Sequence, residues 1–288
     1  MELDDPIAIA EVIICLSGLM LLACWLLKTS VGTRALSDAV PRRNNMPVYL
    51  PFVPLFIWFG AVSLVISITE KLGGDLPGWQ SYFFDNLIFC ISGLTAIGAI
   101  IFIVRVHFAR GLKGFGLNIK TIHKDFPAAF LNLLTVWPLI TAAILLTMFF
   151  GELICGPDYQ MQQHQELKLI TEYSQLPIRI SIVVVAVLIA PLLEEMLFRG
   201  LFQTMLRSYL EARYSIFDTR RESRKAWPAI FISSVLFTTI HSNTGHWPAL
   251  FFLGVCMGYA YEKSGSLFRP IFIHALFNAV GIIAALNQ

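Results

Sequence analysis

Residues Ile178–Gly200 read IRISIVVVAVLIAPLLEEMLFRG. From Ile180 to Leu193 no side chain is ionisable, and then Glu194, Glu195 and Arg199 follow with no turn residue to break the run. A helix that is apolar on every face belongs in a core or a membrane, and an ionisable group inside it needs a partner or a function. Glu195 and Arg199 are spaced i,i+4 with the acid N-terminal, the favourable order for an ion pair on one helix. That pairing leaves Glu194 over, pointing about 100° away from its neighbour. One carboxylate is then structural and the other is a candidate base. In a regular α-helix, Pro191 would remove the backbone bond to the carbonyl of Val187 and bend the helix just before the pair.

The rest of the chain fits a membrane setting. Hydrophobic residues make up 56% of the 288 and charged ones 14%, and the mean hydropathy is +0.69. This is too apolar for an ordinary soluble domain. The net charge of +2 is small and the basic residues are dispersed among loops, which excludes nucleic acid as a partner. Four of the five cysteines lie in apolar runs, so there is no disulfide framework.

Apolar runs at Ile7–Leu27, Leu50–Thr69, Leu87–Val104 and Phe130–Phe150 each approach the ~20 residues of a spanning helix. The run from Ile178 to about Arg213, then Trp227–His241, Trp247–Glu262 and Pro270–Leu286 complete an all-α, polytopic bundle of about eight transmembrane helices. Residues 1–177 supply N-terminal helices without a motif, and 178–288 carry the chemistry within the same continuous membrane domain. Of the 21 Lys and Arg, 18 fall in alternate connections: Lys28–Tyr49, Arg105–Pro127, Arg199–Ala226 and Lys263–Arg269. The positive-inside rule makes these cytoplasmic, including the Arg220–Lys225 run as a topology determinant, in a multi-pass protein of the cell membrane. The run Trp227–His241 rises only about 22 Å, short of the ~30 Å hydrocarbon core. The Ser242–His246 turn is therefore expected within the membrane, buried in protein or lining a wet cavity.

Two further polar clusters join the tandem glutamates. Phe237-Thr-Thr-Ile-His241 closes the short helix, and His274-Ala-Leu-Phe-Asn278 puts an imidazole and a carboxamide on one helix face. Taken singly, the glutamates and Arg199 make a buried ion network, and either histidine is an interhelical hydrogen-bonding residue. Taken together they assemble the parts needed for hydrolysis. His107, His123 and His164 lie in predicted loops, where solvation accounts for them. Packing with Trp247 accounts for His246. Helix lengths put the site in the cytoplasmic half of the bilayer, opening to that side.

The ordered set Glu-Glu-x-x-x-Arg-Gly (Glu194–Gly200), Phe-x-x-x-His (Phe237–His241) and His-x-x-x-Asn (His274–Asn278) resembles the CAAX-processing and bacteriocin-processing (CPBP, or ABI) family of intramembrane endopeptidases, across roughly Ile178–Leu286. The resemblance implies hydrolysis of peptide bonds in membrane-associated proteins or peptides, CAAX-type or prenylated ones among them. It implies that Glu194 activates water, that His241 and Asn278 orient the water or stabilise the oxyanion, and that His274, with Glu195 and Arg199, supports the constellation. No cofactor is favoured. A divalent metal such as Zn²⁺, held by Glu194, His241 and His274, stays open, because zinc accepts such ligands, although no His-Glu-x-x-His pair is present. The alternatives are a non-catalytic immunity or scaffold protein of the same fold and, behind it, a transporter. Oligomeric state is not encoded in these motifs.

Overall fold

The computed structural model describes residues 6–72, 78–214 and 226–287. The acidic opening and the Arg220–Lys225 run lie outside the described residues. Among the described residues the chain is helical, with one isolated bridge between Asn44 and Phe108. The elements are α1 (Pro6–Lys28), α2 (Phe52–Leu72), α3 (Trp79–His107), α4 (Gly111–Phe115), α5 (Ile122–Cys155), α6 (Gln165–Glu172), α7 (Leu176–Val183), α8 (Ala190–Glu195), α9 (Thr204–Tyr214), α10 (Ala226–Thr239), α11 (Trp247–Ser264) and α12 (Phe268–Leu286). Helices α7, α8 and α9 form one continuous rod, joined by π-helical windings over Val184–Ile189 and Met196–Gln203.

Among the described residues five helices are long and apolar enough to cross a membrane: α1, α3, α5 with its 3₁₀ start, the rod Leu176–Arg213, and α12. Phe52–Leu64 of α2 and all of α10 are apolar but shorter. Each of the runs read from the sequence corresponds to a helix, though Leu50 and Pro51 precede α2 and Ile240 and His241 follow α10, and other boundaries move where polar residues extend a helix. Helix α3 begins at Trp79, ahead of Asp85 and Asn86, and α5 begins at Ile122 and runs through Pro127 and Pro138. The sequence reading missed α4 and α6, which are too short to show a period.

The main core lies where the rod, α3, α5, α10, α11 and α12 converge, around Leu193, Phe198, Phe237, Leu253 and Ile273. Helix α1 packs on α5, and α2 on α3, at the periphery. Their outward residues, such as Ile13, Leu16, Met20 and Phe56, are exposed and apolar, as a lipid-facing surface requires.

The basic connections gather at one end of the bundle. There Arg42 Nη2 donates to Tyr261 O over 3.0 Å, Tyr261 OH donates to Phe115 O over 2.8 Å, and Leu267 N donates to Gly116 O over 2.9 Å. The motif glycine Gly200 permits this docking, since a Cβ there would collide with the Phe115 ring. At the opposite end the α10–α11 hairpin stops short. Gln162 and His164, just before α6, contact its turn, and α6 packs on the rod and α12, with Leu169 and Ile170 buried against Ile178, Ile182 and Ile282.

Candidate active site

The rod carries Glu195, Arg199, Gln203 and Arg207 at successive i+4 positions, and all four are buried. Arg199 and Gln203 have partners spaced i+4 along α11, while Arg207 pairs with Glu211 on the rod itself. Arg199 Nη2 donates to Gly254 O at 3.3 Å, and Gln203 Nε2 donates to Gly258 O at 3.0 Å and to Glu262 Oε1 at 3.1 Å. Glycine is needed at these contacts because it lets the α11 backbone approach. A Cβ at Gly258 would lie 2.7 Å from Gln203 Oε1 and 2.9 Å from Ile230 Cγ2.

At the inner end of this polar row the ion pair expected from the sequence is present. Arg199 Nη1 donates to Glu195 Oε1 at 2.8 Å with both side chains at 0% exposure, and His274 Nδ1 donates to the same oxygen at 3.0 Å. Glu194 differs from its neighbour. It keeps 7% exposure and takes no part in those bonds; Oε2 of both glutamates is buried without a hydrogen-bond partner among the described residues.

Phe237 is the hub that brings the three motifs together. Its ring lies 4.9 Å from the His241 ring and 5.6 Å from the His274 ring, with the Arg199 guanidinium 4.3 Å from its centroid. His241 Nδ1 lies 2.9 Å from Phe237 O. A carbonyl can only accept, so Nδ1 carries the proton and the Nε2 of neutral His241 keeps its lone pair. The same argument, with the Glu195 carboxylate as acceptor, leaves Nε2 of neutral His274 unprotonated.

Asn278 departs from the expected convergence on one point. Its Nδ2 donates to Ala186 O at 2.7 Å. In the π-helical winding, Ala190 N donates to Val185 O, five residues back. The next donor in that register would be residue 191, facing Ala186 O, and Pro191 has none. The orphaned carbonyl is therefore at Ala186 and not at Val187, and Asn278 satisfies it. His274 and Asn278 share a face but bond to different turns of the rod.

Among the described residues no three His, Cys, Asp or Glu side chains form a group able to hold a metal ion. Glu194, His241 and His274 thus do not offer the preformed donor set that a divalent ion requires.

The Ser242–His246 turn is only partly covered, with Ser242 and Thr244 exposed, and it is tied by hydrogen bonds to the segment that precedes α6. Asn243 Nδ2 and His246 Nε2 donate to Gln162 O at 2.7 Å and 2.9 Å, and Trp247 Nε1 donates to His241 O at 2.9 Å. Expected as a solvated loop residue, His164 instead stacks on His246 with ring centroids 4.2 Å apart. Burial, then the His246 and His241 rings, pull its pKa down to about 4. Glu166, in the first turn of α6, is exposed and within electrostatic reach of both Glu194 and His241. Neither role was legible, because residues 156–175 read as a polar connection without motif. Met196–Gln203, on the basic side of the glutamates, is buried throughout.

Neither a curated protein nor a solved structure significantly matches the chain. Residues 176–280 match the family model described as type II CAAX prenyl endopeptidase Rce1-like. That span holds the whole rod, the Phe237 hub, both site histidines and Asn278. With the glutamates, histidines and asparagine in the expected order, this part of the chain is similar to the Rce1-like CAAX endopeptidase family.

Proposed function

We propose that this protein is an intramembrane endopeptidase of eight spanning helices, with its basic face in the cytoplasm, in which Glu194 activates water for attack on a peptide bond. The observation that carries this reading is the asymmetry of the tandem pair. Glu195 is sealed, with one carboxylate oxygen bonded to both Arg199 and His274, whereas Glu194 takes part in neither bond and keeps some accessible surface. A desolvated carboxylate in reach of water is a competent general base.

Glu194 takes a proton from water as the water oxygen bonds to the carbonyl carbon. His241 Nε2, its lone pair left free by the Nδ1 bond to Phe237 O, accepts from the same water and orients it. The second N–H of Asn278, not used by Ala186, meets the negative charge that develops on the carbonyl oxygen. Glu194 then returns the proton to the departing amine as the C–N bond breaks. His274 holds the constellation together through Glu195 and Arg199. The mechanism is metal-free, and the substrates are membrane-associated proteins or peptides.

The test is cleavage of lipid-anchored peptides by purified protein in liposomes. Glu194→Gln is expected to lower kcat by at least about 100-fold with the melting temperature retained. Glu195→Gln is expected to lower both, because it weakens a buried pair. Wild-type activity is expected to survive exhaustive chelation. Equal turnover in wild type and Glu194→Gln would point instead to a non-catalytic immunity or scaffold role.

A further inference from the structure

We propose that Glu166 is a specificity-determining residue of this site, an exposed carboxylate at its mouth that favours substrates with a cationic side chain next to the scissile bond. The inference rests on the peptidase reading above and adds to it a residue outside the matched span 176–280.

Glu166 is held in place from both sides. Towards the N-terminus, Gln162 O accepts from Asn243 and His246, and the His164 ring stacks on His246. Towards the C-terminus, Leu169 and Ile170 are buried against the rod and α12. The first turn of α6 lies between these anchors, and its exposed carboxylate acts on both Glu194 and His241.

The exposed Lys168 lies two residues from Glu166 on α6 and so points about 160° away from it around the helix. Arg199 and His274, the basic groups that act on Glu194, are both bonded to Glu195. His164 is neutral at pH 7, since its pKa is held to about 4. A peptide presenting its scissile bond to Glu194 therefore brings the flanking side chains past two carboxylates at the edge of a low-dielectric site. A cation there is attracted. An acidic side chain, or a free C-terminal carboxylate, is opposed. Glu166 also suits the N-terminal end of the α6 dipole, but that role is indifferent to substrate charge.

The test uses the full-length protein in liposomes and quenched, lipid-anchored peptides that differ only in Lys, Gln or Glu beside the cleaved bond. The ratio of kcat/KM for the Lys peptide over the Glu peptide is expected to be about tenfold or more in wild type. It should collapse towards one in Glu166→Gln and invert in Glu166→Lys. Glu172→Gln, which removes another exposed α6 carboxylate, should keep the wild-type ratio. A wild-type ratio near one, an unchanged ratio in Glu166→Gln, or an equal collapse in Glu172→Gln overturns the proposal. Fluorescence anisotropy of the same peptides on Glu194→Gln protein, with and without Glu166→Gln, reads the preference independently of turnover. Failure of wild type to cleave any peptide would sink the peptidase reading, while a Lys-over-Glu binding preference lost with Glu166 would still support the selector.

Discussion

Pro191 removes a backbone donor from the rod, and Asn278 returns one from α12. Asn278→Ala is therefore expected to cost about 1–3 kcal/mol, the penalty for leaving a part-buried carbonyl unpaired. Adding Pro191→Ala restores an N–H in the register of Ala186 O, so the double variant should regain most of the lost melting temperature. Its activity should stay low, because the amide assigned to the oxyanion is still missing. Thermal unfolding and peptide turnover of the two variants check this, and a double variant no more stable than Asn278→Ala would refute it. The pairing of His274 with Asn278 on one face was legible from their spacing. The partner of Asn278 was not, because the sequence does not show where a helix switches to π winding, and that switch moves the missing bond from Val187 to Ala186. The Glu195–Arg199 pair was legible for the opposite reason: i,i+4 spacing brings the two together on the helix itself.

At the scale of elements, α11 and the rod pack through long polar side chains laid on glycine backbone. Gly258→Ala forces a Cβ against Gln203 and Ile230, and overpacking of this kind costs about 1–3 kcal/mol. Gly98→Ala, in α3 with nothing within 4 Å of the added carbon, should instead be neutral or slightly stabilising, since alanine is the better helix former by about 1 kcal/mol. Thermal melts of the pair in one detergent give the comparison, and equal losses would argue against close α11 approach as the cause. The apolar runs in the sequence located every helix that carries a motif, because twenty lipid-soluble residues leave few other structures open. Helix α6 escaped notice. It is 8 residues long and mostly polar, and what fixes it is packing on the rod and α12, which no local pattern records.

Over the whole molecule, the two ends differ in charge and in what they hold. Basic connections close one end, and α6 with the partly covered turn occupies the other. In a cysteine-free background, Asp158→Cys and Lys120→Cys, both at exposed positions, should react with an impermeant maleimide from opposite sides of a sealed vesicle. Labelling from the same side would contradict the arrangement. The charge alternation made these two ends legible. The rod that joins the ends is unevenly wound, and this has a consequence for how the chain tolerates change. In an ordinary α-helix, residues four apart drift by about 40° per step, so a row from Glu195 to Arg207 would spiral away from α11. The wider π turns wind that drift back and keep the row in phase with its neighbour. Loss of a single residue between Met196 and Gln203 would spare both glutamates yet swing Gln203 and Arg207 towards lipid, so this stretch should accept substitutions far more readily than a change of length.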